Sequence, residues 1–304
     1  MDIDMYHGII NVYKEKGYTS HDVVAKLRGI CKQKKIGHTG TLDPDAVGVL
    51  PVCLGNATRI CDMMTDQDKE YVAGLRLGVV TDTQDASGKV LEQHEVMVSE
   101  KEVREAIGAF QGDVMQIPPM YSALKVGGKK LYELARQGKV IERAPRPVTI
   151  HEIEVLKESM PEFTLRVVCS KGTYIRTLCH DIGQKLGCGG IMESLTRTRV
   201  GSFGIDKALT LSELEALSRE DKLTEHLIPV DRIFLHLPAV TAREESLKAL
   251  QNGNQLGREA WLWKSDEEPK GQYRVYSHEG RFFGIYDYDR RRGLLCPVKM
   301  FLEE

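Results

Sequence analysis

The spacing of apolar positions changes several times along the chain, and each change marks an element. Gly8-Ile9-Ile10-Asn11-Val12-Tyr13 reads as a strand, followed by a turn at Gly17. Thr19 and Asp22 have the spacing of a capping box, after which Val23, Leu27 and Ile30 repeat at helical intervals. The helix ends in a lysine run. The next stretch, Gly37 to Gly48, holds three glycines, a proline and two aspartates, a composition that opposes regular structure. An apolar strand, Val49 to Leu54, comes next, then a short helix around Ala57 to Met64. From Lys69 to Val80 the chain enters a strand pair, with Tyr71, Ala73, Leu75 and Leu77 alternating.

Thr81 to Gly88 is a polar turn, and Ser99 with Glu102 caps a helix through Ala106 and Phe110. Pro118-Pro119 leads into a basic, glycine-bearing insertion at 125–147, expected to be partly helical and mobile. Strands are expected over Val148 to Leu156, Glu162 to Cys169 and Leu195 to Phe203, with a helix from Gly172 to Leu186. From about Leu237 the pattern becomes short strands with turns at Asn252-Gly253-Asn254, Lys270-Gly271, Glu279-Gly280 and Arg292-Gly293, as in a small β-barrel or sandwich. The expected division is therefore 1–235 and 236–304. Neither G-x-G-x-x-G nor a P-loop follows a strand, which weighs against dinucleotide and P-loop chemistry.

Composition narrows the class. With 304 residues, 41% hydrophobic and 28% charged, the chain has enough apolar residues for a dense core. The start, Met1-Asp2-Ile3-Asp4, lacks the basic flank of a secretory signal, and no apolar run is long enough for a membrane span, so a cytosolic location is expected. Seven scattered cysteines without a C-x-x-C pair read as reduced thiols and give no metal site. The net charge of −2 does not favour a polyanionic partner, but phosphate binding follows local charge. Lys125, Lys129, Lys130, Arg136, Lys139, Arg143 and Arg146 face only Glu133 and Glu142 within one segment. Lys26, Arg28, Lys32, Lys34 and Lys35 form a second basic run. Either alone is an ordinary solvated helix face; two flanking a glycine-rich loop point toward a polyanion.

Three carboxylates stand out by context: Asp43 and Asp45 in the loop, and Asp181 on the helix after Arg176. Glycines let a loop carboxylate approach a substrate closely, but Asp43-Pro44 is also a common turn dipeptide, and spacing alone leaves both readings open. His38 can serve as a base, a stacking wedge or a loop hydrogen-bonder. Tyr71 and Tyr174 fit a core as well as a stacking platform. Arg176 can clamp a carboxylate through two parallel hydrogen bonds and keep it ionised.

The string Lys35-Ile36-Gly37-His38-Thr39-Gly40-Thr41-Leu42-Asp43-Pro44-Asp45-Ala46-Val47-Gly48-Val49-Leu50-Pro51 resembles the signature of the TruB family, the tRNA pseudouridine(55) synthases. Further segments follow in the family's order: Leu54 to Arg59, Asp68-Lys69-Glu70-Tyr71, Gly78 to Asp85, Pro118 to Lys125, Cys169 to Leu178 and Leu195 to Gly201. One segment departs: the family usually has Asp-Lys-Pro before the turn glycine, and here the stretch is Tyr13-Lys14-Glu15-Lys16-Gly17. The departure leaves open how this segment packs on the loop.

The resemblance implies an α+β pseudouridine synthase fold, with a mixed, largely antiparallel central sheet, flanking helices and a small C-terminal PUA-like β-barrel. It implies cofactor-free isomerisation of uridine 55 in the tRNA T-arm, with Asp43 as nucleophile and the base flipped out of its stack. Arg176 would pair with Asp43 and keep it anionic, Tyr71 would stack on the uracil, and His38 would fill the space the base vacates. Tyr174 and Leu195 would complete the pocket wall, with Lys14, Gly37 and Gly40 supporting the loop. Lys125, Lys129, Lys130, Arg136, Arg143 and Arg146 would meet RNA phosphates. The alternatives are a guide-RNA-dependent dyskerin-type subunit and a non-catalytic tRNA-binding or tRNA-folding protein. Because the chain ends at Glu303-Glu304 soon after the small domain, the stand-alone enzyme without guide RNA is expected; with no sign of oligomerisation in the sequence, a monomer is the default.

Overall fold

A computed structural model describes residues 5–263 and 268–302. Met1 to Asp4 and Glu303-Glu304, used in the sequence reading, lie outside the described residues. The first strand, β1 (Gly8–Lys14), leads into α1 (Ser20–Cys31), whose capping box joins Thr19 and Asp22 as the spacing predicts. The loop from Gly37 is more ordered at its ends than its composition suggests. β2 (Ile36–His38) occupies its start and β3 (Val47–Leu54) takes over its end, because Ile36, Gly37 and His38 pair with Leu54, Cys53 and Val52. A 3-10 turn and α2 (Cys61–Thr65) then lead to β4 (Lys69–Leu77), which buries Lys69, Tyr71, Ala73, Leu75 and Leu77 by alternation.

A small hairpin of β5 (Val79–Thr81) and β6 (Val90–Gln93) precedes α3 (Glu100–Gly108), capped by Ser99 and Glu102. β7 (Gly112–Gln116) then leads to the basic insertion. There a hairpin of β8 (Lys125–Val126) and β9 (Lys129–Lys130) runs into α4 (Leu131–Arg136). Met120, Leu131 and Leu134 give the insertion its own small apolar cluster. The long strands β10 (Arg146–Ser159) and β11 (Glu162–Cys169) follow. α5 (Ile175–Lys185) begins three residues later than the Gly172 start read from the sequence, since Tyr174 is its extended N-cap. β12 (Gly190–Val200) starts five residues before Leu195, directly from the glycine-rich turn, and β13 (Phe203–Gly204) folds back on it.

One nine-stranded sheet results, in the order β1-β3-β12-β4-β11-β10-β7, with β2 on β3 and β13 on β12. Only the β12·β3 contact in it is parallel, so the sheet is mixed and largely antiparallel. α3 and α5 cover one part of it through Val103, Ile107, Leu178 and Ile182. α1 packs with α6 (Leu211–Arg219), a helix that the apolar pattern did not yield, over Val12, Leu50 and Val52. Each such fully buried aliphatic side chain contributes roughly 1.5–3 kcal/mol of transfer free energy.

The C-terminal part adds β14 (Ala239–Ala242), α7 (Leu247–Gln251), β15 (Trp261–Leu262), β16 (Gly271–Tyr276), β17 (Phe282–Asp289) and β18 (Leu294–Met300). These strands form a five-stranded sheet, β15-β14-β16-β17-β18. It docks on the larger sheet through Phe234, Ile285 and Phe301, and Asn56 Nδ2 donates to the Phe301 carbonyl at 3.0 Å.

Candidate active site

The Asp43 loop is held by its backbone. Leu42 N–H donates to Ser20 Oγ at 2.9 Å, and Thr39 N–H to the Pro51 carbonyl at 3.1 Å. The Pro44 carbonyl accepts from Gly17 N–H at 2.9 Å and from Lys14 Nζ at 3.2 Å. The Tyr13 to Gly17 segment therefore does pack on the loop. Lys14 is fully buried, its ammonium also donating to the Tyr18 carbonyl at 2.6 Å, and burial lowers its pKa to about 8.

From the other side Arg197 reaches into the loop. Its Nε donates to the Val49 carbonyl at 2.7 Å and its Nη2 to the Gly40 carbonyl at 3.2 Å. Gly48 makes room for the close β3–β12 pairing, and Gly40 supplies a backbone conformation that side chains rarely adopt. A Cβ on Gly48 (φ +108°) would lie 2.2 Å from the Arg197 carbonyl oxygen, and Gly40 has φ +144°.

Asp43 projects from this loop onto Arg176, in the first turn of α5. Arg176 Nε lies 3.0 Å from Asp43 Oδ2, and Nη2 lies 3.4 Å from Oδ1, a side-on clamp. The rest of the guanidinium is fixed by the carbonyls of Tyr121 (2.8 Å) and Thr83 (3.2 Å) and by Asp85 at 3.6 Å. The clamp has the expected partner but a different electrostatic balance. Burial raises the Asp43 pKa; Arg176 opposes this, Asp85 adds to it and Lys14 opposes. The carboxyl stays above its ordinary value, so Arg176 offsets the cost of burial only in part.

A cavity of about 330 Å³ opens beside this pair, lined by Asp43, Tyr71, Tyr174, Arg176 and Leu195 together with Gly40, Lys69 and Arg197. Tyr71 comes from β4, where alternation points it inward, and burial raises its phenolic pKa. Tyr174 is placed by Gln116 at the end of β7, whose side-chain amide accepts from Tyr174 N–H at 2.9 Å and donates to its carbonyl at 3.2 Å. A second cavity of about 510 Å³ is bordered by Lys16, Asp85, Tyr121 and Arg136 together with Asp43 and Arg176. Asp43, Arg176 and Leu195 line both cavities.

The structure does not bring every candidate into this cavity. His38 lies on β2, outside the lining, with its ring 5.4 Å from that of His21 and its Nδ1 accepting from Gly40 N–H at 3.3 Å. Burial, with His21 and Arg197 nearby, pushes its pKa down to about 4, so it is neutral at pH 7 and supports the loop. Gly37 also sits behind the loop, where a Cβ would meet Cys61 Sγ at 3.2 Å. Of the basic insertion, Arg136 borders the second cavity; Lys125, Lys129, Lys130, Arg143 and Arg146 line neither. Lys125, Lys129 and Arg146 are exposed, and Lys130 and Arg143 are half-buried. Asp181, on α5, also lies outside both cavities, and burial raises its pKa to about 6.

Residues 28–175 match the TruB family pseudouridylate synthase (N terminal domain), and residues 176–235 match the tRNA pseudouridylate synthase B C-terminal domain. The chain is 56% identical over 306 residues to the tRNA pseudouridine synthase B of Lachnoclostridium phytofermentans, covering 97% of this chain and 100% of that one. It is 42% identical to the tRNA pseudouridine synthase B of Bacillus pumilus, covering 99% of each. Among solved structures it superposes on a chain of a Cbf5-Nop10-Gar1 complex with TM-score 0.72 at 28% identity, covering 98% of this chain and 85% of that chain. A chain of an H/ACA RNP bound to a substrate RNA gives 0.71 at 26% identity, over 97% and 85%. With two contiguous family matches and relatives this similar along their full length, the chain belongs to the TruB family of pseudouridylate synthases.

Proposed function

We propose that this chain isomerises uridine 55 in the T-arm loop of tRNA to pseudouridine, with Asp43 as nucleophile and without a guide RNA. The observation that carries the reading is the Asp43–Arg176 clamp, at 3.0 Å, on the wall of a cavity that also presents Tyr71 and Tyr174. A cavity of about 330 Å³ suits one nucleoside drawn out of its stack. Asp43 promotes cleavage of the C1′–N1 bond, the uracil turns in the cavity, C5 rejoins C1′, and the C5 proton leaves. Tyr71 stacks on the uracil through this turn. His38, behind the loop, keeps Gly40 and its neighbours in place.

The tRNA substrate is supported by relatives named tRNA pseudouridine synthase B that match along their whole length. The chains of the Cbf5-Nop10-Gar1 complex and of the H/ACA RNP bound to a substrate RNA support the guided alternative at the level of fold. The higher identity to the first group, 56% and 42% for the two relatives named, against 28% and 26% for the second, supports the unguided reading. The exposed cations Lys125, Lys129 and Arg146 are suited to phosphates of the T-arm, and the C-terminal sheet to a further RNA contact.

The experiment is release of tritium from C5-labelled uridine in a T-arm transcript, without added metal or guide RNA, with the product mapped to position 55. Asp43→Asn abolishes release while tRNA binding persists. Unchanged release in that variant sinks the nucleophile assignment, and release only with a guide RNA favours the dyskerin-type alternative.

A further inference from the structure

The sheet under the cavity carries two cations that the Asp43–Arg176 clamp does not use. Lys69 and Tyr71 share the inward face of β4, and Arg197 on β12 is the cross-strand partner of Tyr71. Lys69 is 6% exposed and Arg197 1%, and both line the cavity. Lys69 Nζ donates to the carbonyls of Thr65 and Gln67, and Arg197 to those of Val49, Gly40 and Thr41. Among the described residues no carboxylate comes within ion-pair distance of either. Asp66 and Asp68, the carboxylates nearest in effect on Lys69, pair instead with Lys171 at 2.8 Å and His151 at 3.3 Å.

Apart from Asp43, which lines the same cavity and is clamped by Arg176, the side chains beside Lys69 and Arg197 supply no negative charge. Tyr71 remains a neutral phenol because burial raises its pKa, and burial pushes the Cys169 thiol up to about 11. Lys69 itself is lowered to about 8 by burial and by Arg197 beside it. Two like charges buried side by side repel one another at a cost in stability. They become favourable when an anion occupies the cavity.

We propose that Lys69 and Arg197 form a cationic floor that holds the detached uracil as an anion while it turns. The proposal rests on the isomerisation described above, written for attack at the sugar. The C1′–N1 bond breaks with its electron pair staying on the base, and C1′ bonds to the Asp43 carboxylate oxygen. The charge that began on Asp43 now lies on the uracil, spread over N1, O2, O4 and C5. C5 then gives an electron pair to C1′ and displaces the carboxylate, which recovers its charge. The C5 proton departs and N1 gains one, so the sum is an isomerisation. Throughout the turn the negative charge sits on the base over Lys69 and Arg197. Fixed charges aimed at developing charge are the means by which a protein lowers such a barrier without reorganising.

The test compares bases of different leaving ability. T-arm RNA carrying uridine or 5-fluorouridine at position 55 is mixed with excess enzyme, and loss of the parent nucleoside is followed in single turnover. Because 5-fluorouracil is the more acidic base, its anion needs less help from the floor. Lys69→Met slows uridine consumption on the order of 10²-fold. It slows 5-fluorouridine roughly tenfold less, and Lys69→Arg restores most of the rate. Equal slowing of the two bases overturns the proposal, as does a Lys69→Arg variant no faster than Lys69→Met. Should Lys69→Met lose RNA affinity through misfolding, the charge-removing Arg197→Gln must show the same difference between bases, and its absence overturns the proposal. A wild-type enzyme that leaves uridine 55 unconverted refutes the proposed function instead.

Discussion

Replacing Arg176 by Met removes the cation from the Asp43 clamp while keeping much of its packing volume. Unit charges about 3 Å apart attract by roughly 5 kcal/mol at an effective permittivity near 20. The Asp43 side chain is 40% exposed, and solvent screening brings the useful part to roughly 2–3 kcal/mol. Burial already holds the Asp43 pKa above its ordinary value, and Asp85 pushes in the same direction, so losing Arg176 raises it further. Single-turnover tritium release at pH 7 is expected to fall on the order of 10²-fold, about 1.4 kcal/mol per factor of ten. The remaining rate is expected to climb with pH, because the carboxyl must now ionise without its partner. The sign for stability follows: a carboxyl whose folded pKa is raised stabilises only while protonated, and that contribution is lost as pH rises through the folded value. Arg176→Lys recovers part of the rate, since a single ammonium cannot reproduce the clamp and also hold the carbonyls of Tyr121 and Thr83. A pH–rate profile for Arg176→Met parallel to that of wild type would refute the reasoning and reduce Arg176 to a packing residue.

Two further outcomes are open to measurement. His38, at about 4 in the folded protein against 6.5 when free, binds fewer protons folded than unfolded in that window. Its contribution is present above about pH 6.5 and lost as pH falls toward 4, with a ceiling of about 3 kcal/mol. Asp181, raised to about 6 by burial, has the opposite sign and offsets part of this loss. In His38→Gln, the denaturant midpoint at pH 5 is expected to rise relative to that at pH 7 by comparison with wild type; an unchanged difference counts against a buried neutral histidine. In the insertion, Lys129→Ala and Arg143→Ala are each expected to lower the dependence of log K for tRNA on log salt by roughly 0.7–0.9. Binding with an unaltered salt slope would remove that side chain from the phosphate contacts.

What the sequence made legible is what local physics decides. The capping boxes at Thr19 and Ser99 satisfy orphan amides whatever the tertiary context, and both form as read. Thr210 and Glu213 carry the same signal and cap α6, but its apolar stripe is short, and its burial depends on α1 lying beside it. The Asp43 loop was recognisable as a string, yet its spacing alone left nucleophile and turn residue equally open. The structure narrows that choice by placing Arg176, more than a hundred residues later in the chain, 3.0 Å away.

The least legible part is the cavity floor, because it depends on strand order. β12 lies between β3 and β4, parallel to one and antiparallel to the other, and this brings Arg197 opposite Tyr71 and against Gly48. No local pattern announces such a neighbour. An arginine in an alternating strand ordinarily points to water, and nothing around Arg197 in the chain indicates that its partners are carbonyls of residues 40, 41 and 49. Lys69 differs: it sits in phase with Tyr71, Ala73 and Leu75, an alternation that puts it on the inner face and that the sequence reading did not extend to it. A charged residue at a core phase, with no opposite charge to meet it, breaks the rule that buries apolar groups. In a protein whose proposed reaction sets free an anionic base, that local violation is where the charge of the reaction has its counterpart.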